Sequence, residues 1–213
     1  MRRPWNDSLR LIKGTHMEDR QKRTTKLAIR ASLDGITDIL GRNGAKIVFR
    51  SAGLLDIFEN PPEYSWDPCI TIPEQAKIYT EIANLVGYKG ALGIWRRTGY
   101  TVMKRVMEEM RVMEQYEGLT AGEKFSKGLA MFVIGSGKGK VVQIDGKPDE
   151  FDCFDCMHCK GCVFDRPMCT HYEGFIQYIA DTAFGKDAYI AREISCMAKG
   201  DETCYFRLVE KEE

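Results

Sequence analysis

Hydrophobic positions recur along this chain first with the period of helices and then, late, with the period of strands. Leu27 to Leu40 carries apolar residues at 29, 33, 36, 39 and 40, which predicts a helix ended by Gly41. The run Ile47-Val48-Phe49, inside Ala45 to Ser51, reads as a short strand between glycines. Asn60-Pro61-Pro62-Glu63 predicts a loop. Thr71-x-x-Glu74 is a capping box, and the helix it opens buries Ala76, Tyr79, Ile82, Ala83 and Val86 before Gly87 closes it. Further helices are predicted from Thr98 to Tyr116, with methionines at 103, 107, 110 and 113, and from Ala121 to Ile134. A glycine run, Gly135 to Gly139, lacks the spacing of a phosphate-binding loop and reads as a turn.

After that turn the pattern changes. Lys140 to Ile144 alternates as a strand does, and Asp145-Gly146-Lys147-Pro148 turns it. Thr170-x-x-Glu173 looks like a second capping box, opening a helix with Phe175, Ile176, Ile179, Ala180 and Ala183 buried and Gly185 as its stop. Ala188 to Ala198 and Thr203 to Val209 form a hairpin around Lys199-Gly200-Asp201. Helices first and strands last predict an α+β fold, with N-terminal helices packed on an antiparallel sheet.

Composition changes this picture little. The 213 residues balance 31 Lys+Arg against 31 Asp+Glu, so no net field recruits nucleic acid or a membrane surface. No apolar run approaches the roughly 18 residues of a spanning helix. Residues 1–30 hold nine basic side chains against three acids, and we read them as a basic, solvated arm ahead of a domain at 31–210. No apolar signal core follows the first arginines, so the expected location is cytoplasmic, where thiols stay reduced.

The candidate chemistry lies in the cysteines. Seven of eight fall between Cys153 and Cys204, in and beyond a cysteine-rich segment at 151–170. Cys153, Cys156, Cys159 and Cys162 repeat at three-residue intervals, too close for mutual disulfides but suited to one soft metal or one cluster. Three readings stay open for them: a [4Fe–4S] cluster, a second zinc, or redox-switching thiols. A hairpin turning on Gly200 pairs residues whose numbers sum to 400, which sets Cys196 opposite Cys204. Cys169, ahead of a helix N-terminus, and Glu193 complete a four-ligand zinc site with them. Glu193 and Cys196 differ by an odd number, so a bulge is required to bring both to one face.

These residues carry a resemblance. Cys169-x-x-x-x-Gly174, then Glu193-x-x-Cys196, Ala198-x-Gly200-Asp201 and Cys204-x-Phe206, resemble the C-terminal motif of the 4-vinyl reductase domain family. Gly41 to Gly53 and Arg96-x-x-Gly99 are similar to earlier segments of that family. The resemblance implies a fold shared with trafficking-complex subunits and haem nitric-oxide sensors. It implies zinc on Cys169, Glu193, Cys196 and Cys204, a closed cavity for a small apolar ligand as in "hydrocarbon-binding" members, and a homodimer. The four-cysteine run departs from the family pattern. It leaves an alternative, an iron–sulfur electron-transfer accessory acting on a bound substrate or a protein partner, so the sequence does not decide whether this is an enzyme.

Overall fold

The structure, a computed structural model, describes residues 23–136, 139–156, 158, 159, 163, 166–186 and 188–211. Cys162 and most of the basic arm, residues 1–22, lie outside the described residues. The chain divides into two compact units, one up to Glu81 and one from Ile82 onward.

In the first unit, β1 (Arg23–Thr25) pairs antiparallel with β2 (Pro68–Thr71), and α1 (Lys26–Ser51) and α2 (Leu55–Glu59) lie between them in sequence. Gly41 breaks the helical path with φ 68°, but the helix resumes at once and the predicted strand at 45–51 is its second half. The burial pattern explains the difference. Ala45, Val48, Phe49 and Ala52 are buried at spacings of three and four, while Ile47 is 48% exposed. Adjacent Val48 and Phe49 could not both be buried against one face in a strand. The box at Thr71 forms as expected: Glu74 Oε2 accepts from the Thr71 amide and hydroxyl, each at 2.7 Å. It opens α3 (Ile72–Glu109), which runs from the first unit into the second in sequence. Gly87 (φ 74°) kinks that helix instead of ending it, and the helix stops at Glu109, short of the expected Tyr116.

The second unit holds the rest of α3, then α4 (Ala121–Ser136), α5 (Thr170–Phe184) and a four-stranded antiparallel sheet. Its strands are β3 (Gly139–Val142), β4 (Glu150–Cys153), β5 (Tyr189–Ser195) and β6 (Cys204–Glu210), in the order β3-β4-β6-β5. An unforeseen capping box opens α4, where Thr120 and Glu123 exchange side-chain to backbone bonds. Phe132, Phe151, Tyr172 and Phe206 meet at ring-centroid distances of 5.1–6.1 Å. These rings fill the space between the helices and the sheet.

Glycines set the spacing of α3 and α5. A Cβ on Gly174 would fall on the Arg96 carbonyl oxygen and 2.7 Å from the Tyr100 amide nitrogen. A Cβ on Gly99 would likewise strike the backbone of His171. The two helices therefore cross backbone to backbone, which only glycine permits.

Candidate metal centre

The hairpin register places the first sulfurs. Tyr189 pairs with Glu210 and Glu193 with Phe206, so most of the β5–β6 ladder sums to 399, not 400. A bulge between Glu193 and Ser195 shifts the sum to 400 at Ser195–Tyr205. The extra residue brings Glu193 and Cys196, three positions apart, toward one place. The strand-to-strand turn is tied by Asp201, whose carboxylate accepts the Cys196 amide at 2.7 Å, and by Gly200 at φ 96°.

Cys169 is the N-cap residue of α5, and its side chain makes no capping bond. The expected box at Thr170 does not form, because both of its side chains are engaged elsewhere. Thr170 donates to the Leu92 carbonyl at 2.9 Å, and Glu173 Oε1 accepts the Glu193 amide at 2.8 Å. The other Glu173 oxygen takes the Arg96 guanidinium at 2.6 Å. Glu193 Oε2 in turn accepts the Cys169 amide at 2.8 Å. A relay thus runs from Arg96 on α3 through Glu173 and Glu193 to Cys169. Arg96 also donates to Gln177 and to the Ala191 carbonyl.

Five side chains converge here. The ligand atoms of Cys159, Cys169, Glu193, Cys196 and Cys204 all lie within 4.8 Å of one another, and all five residues are buried. Cys159 Sγ is 2.8 Å from Cys169 Sγ, 3.4 Å from Cys196 Sγ and 3.5 Å from Cys204 Sγ. Cys169 and Cys204 are 3.8 Å apart, and Cys156 Sγ lies 3.2 Å from Cys169 Sγ. Cys153 is fully buried on β4 opposite Cys204, and hydrogen-bonds Cys156. The described members of the three-residue repeat therefore gather around the hairpin cysteines instead of standing apart from them. A buried Cys/Glu cluster of this kind could hold a metal ion.

The electrostatics are those of a site short of positive charge. Hydrogen bonds from Cys156 and Cys169 pull the Cys159 thiol down to about 4, and one from Cys156 leads in pulling Cys204 to about 4. Bonds from Cys159 and Cys169 bring Cys196 to about 6. Burial and the neighbouring thiols hold Cys169 well above the usual thiol range. Burial, reinforced by the charge on Cys196, pushes Glu193 up to about 10. Glu193 Oε1 is buried and lacks a hydrogen-bond partner, as a carboxylate oxygen awaiting a cation does.

The other candidates fall elsewhere. His158 and His171 face each other, ring nitrogens 3.1 Å apart, with Tyr172 and Phe175 packed on them. Met103 and Met107 are core, Met113 is 54% exposed, and Cys69 sits half-buried on β2. Tyr100 donates to Asp181 at 3.0 Å, and Trp95 packs edge-on against Tyr88. The described cleft, about 800 Å³, is open and lined by Glu123, Ser126, Lys127 and Asp149 beside Ala130 and Val141.

Residues 149–210 run from the start of β4 to the end of β6 and carry every sulfur of the cluster. They match the model of the 4-vinyl reductase domain family. This is a 4-vinyl reductase domain protein. Structural comparison extends the likeness beyond the matched segment. A structure determined to probe haem distortion in the H-NOX family aligns with 89% of this chain and 96% of its own, at 16% identity and TM-score 0.59. One used to study H-NOX activation covers 90% and 97%, at 17% identity and TM-score 0.54. An H-NOX protein from S. oneidensis in the Fe(II)NO ligation state covers 86% and 99%, at 11% identity and TM-score 0.52. At such identities the likeness shows the fold of the 4-vinyl reductase domain protein and no more. Comparison with curated protein sequences gave no match. No helix among the described residues is long and apolar enough to cross a membrane.

Proposed function

We propose that this 4-vinyl reductase domain protein binds a small apolar molecule and carries a mononuclear zinc site that pins its C-terminal hairpin to α5. The convergence of Cys169, Glu193, Cys196 and Cys204 inside the family-matched segment carries the reading. A tetrahedral zinc–thiolate site spaces its sulfurs about 3.8 Å apart, given a Zn–S bond of about 2.3 Å. The separations of 2.8–3.8 Å fit ligands sharing one ion. In a [4Fe–4S] cubane each cysteine sits on a different iron, which keeps the sulfurs farther apart, so the spacing favours the single ion. Haem is not part of the proposal, because buried His171 is already engaged by His158 and enclosed by rings.

Zinc would act structurally, as a cross-link that forms only in the folded chain. The apolar ligand is argued from the family and from the adaptable Met103 and Met107 in the helical core. The described cleft is open and polar-rimmed, so an apolar molecule would be housed by opening the core. A cytoplasmic homodimer that passes its signal to a protein partner completes the reading.

Two measurements test it. Anaerobically purified protein should contain about one zinc per chain with no acid-labile sulfide; about four irons with a dithionite-bleachable band would replace it with the redox reading. Native mass spectrometry should show an adduct that solvent extraction removes and an apolar molecule restores. No gain in mass or melting temperature across a panel of aromatic and aliphatic hydrocarbons would overturn ligand binding.

Zinc uptake should also release protons. Glu193, Cys156 and Cys169 hold theirs in the metal-free site, since their ionisation is pushed upward. Ligands coordinate deprotonated, so affinity rises with pH and falls on acidification. Zinc titration at pH 7 in weak buffer with an indicator dye should read net acidification, and pH-independent affinity would contradict the assignment.

A further inference from the structure

The cluster contains one ligand more than a tetrahedral ion accepts. Resting on the metal reading above, we propose that Cys159 is the fourth ligand. In the reduced protein the ion would then be held by four thiolates, Cys159, Cys169, Cys196 and Cys204, and Glu193 would act as a positioning residue.

The fourth corner of a tetrahedron lies at similar distances from the other three. Cys159 Sγ meets that condition, at 2.8, 3.4 and 3.5 Å from the sulfurs of Cys169, Cys196 and Cys204. Its residue is 3% exposed, so the thiol points inward although it comes from the segment joining β4 to α5. Glu193 already has a structural task. Its Oε2 accepts the Cys169 amide while its own amide is held by Glu173, which fixes the carboxylate between the bulge and the N-terminus of α5. Thiolate is also the better donor for a soft ion, so an all-sulfur set shifts preference toward zinc, cadmium and copper(I) and away from harder ions. Coordination by Cys159 would fasten the cysteine-rich segment to the hairpin, which the other three ligands do not do.

The test counts thiolates spectroscopically on the full-length, reduced protein. Cobalt(II) loaded into the site should show sulfur-to-metal charge transfer in proportion to the thiolates bound. Cys159→Ser should lose about a quarter of that intensity, one thiolate in four. Glu193→Gln should keep the full intensity, as should Cys69→Ser, which alters a thiol outside the cluster. Wild-type intensity in Cys159→Ser, with a changed ligand field in Glu193→Gln, would overturn the proposal and leave the Cys169, Glu193, Cys196 and Cys204 set. The cadmium-113 resonance of the wild-type protein provides a check that requires no variant to fold. A shift in the four-sulfur range supports Cys159 as a ligand, and one in the three-sulfur, one-oxygen range refutes it. Failure of the wild-type protein to take up cobalt or cadmium at all would instead strike down the metal reading itself.

Discussion

A Cys196→Ser protein is expected to lose its metal and much of its resistance to heat. Cys196 stands where the bulge of β5 hands the chain to the turn, and its sulfur lies among those of Cys159, Cys169 and Cys204. Serine keeps the volume but offers a hard, protonated oxygen in place of a soft thiolate. Less than about a tenth of wild-type zinc should survive dialysis against a chelator, because the site exists only when all its ligands are present. An ion at a thousand times its Kd adds about 4 kcal/mol to the folded state. For a chain of this size that corresponds to a fall in Tm of roughly 8–16 °C. Wild-type protein stripped of metal should melt near the variant. Equal metal content and equal Tm in variant and wild type would remove zinc from the hairpin.

Gly174→Ala should be nearly as damaging without touching a ligand. Its new methyl group would meet the Arg96 carbonyl oxygen and the Tyr100 amide nitrogen, which are helix backbone and cannot rotate aside. Overpacking against side chains costs about 1–3 kcal/mol; against two fixed helices the cost is about 4 kcal/mol or more. Parting α3 from α5 would also strain the Arg96–Glu173 pair, from which the relay to Cys169 begins. Gly93→Ala is the control. It lies on the exposed side of the same helix with open space around it, so alanine should stabilise by about 0.5–1 kcal/mol. Calorimetry on both variants checks the pair, and a Gly174→Ala protein that melts within a degree or two of wild type would refute the backbone crossing.

Much of this was legible from residue order, because the signals are local. The capping box at Thr71, the stop at Gly185 and the hairpin around Gly200 depend on neighbours within a few residues. The need for a bulge followed from the parity of Glu193 and Cys196, and a bulge is found between Glu193 and Ser195. Local signals also misled. Gly41 and Gly87 look like helix ends, yet the chain resumes its helix after each, because the apolar spacing on the far side is still helical and has a core to face. Thr170 and Glu173 match a capping box in spelling, but Leu92, Arg96 and Glu193 supply stronger partners than the helix end does.

By itself the sequence determined the α+β order, the hairpin, and the residue types able to bind a soft ion, since periodicity, turn chemistry and thiol content are properties of short stretches. Only the tertiary structure decided which thiols meet. The segment from β4 to α5 folds back so that Cys156 and Cys159 join the hairpin cysteines. The crossing of α3 on α5 brings Arg96 to Glu173, 77 residues away in the chain. Such meetings are fixed by packing between elements distant in the chain, and no spacing along the sequence encodes them.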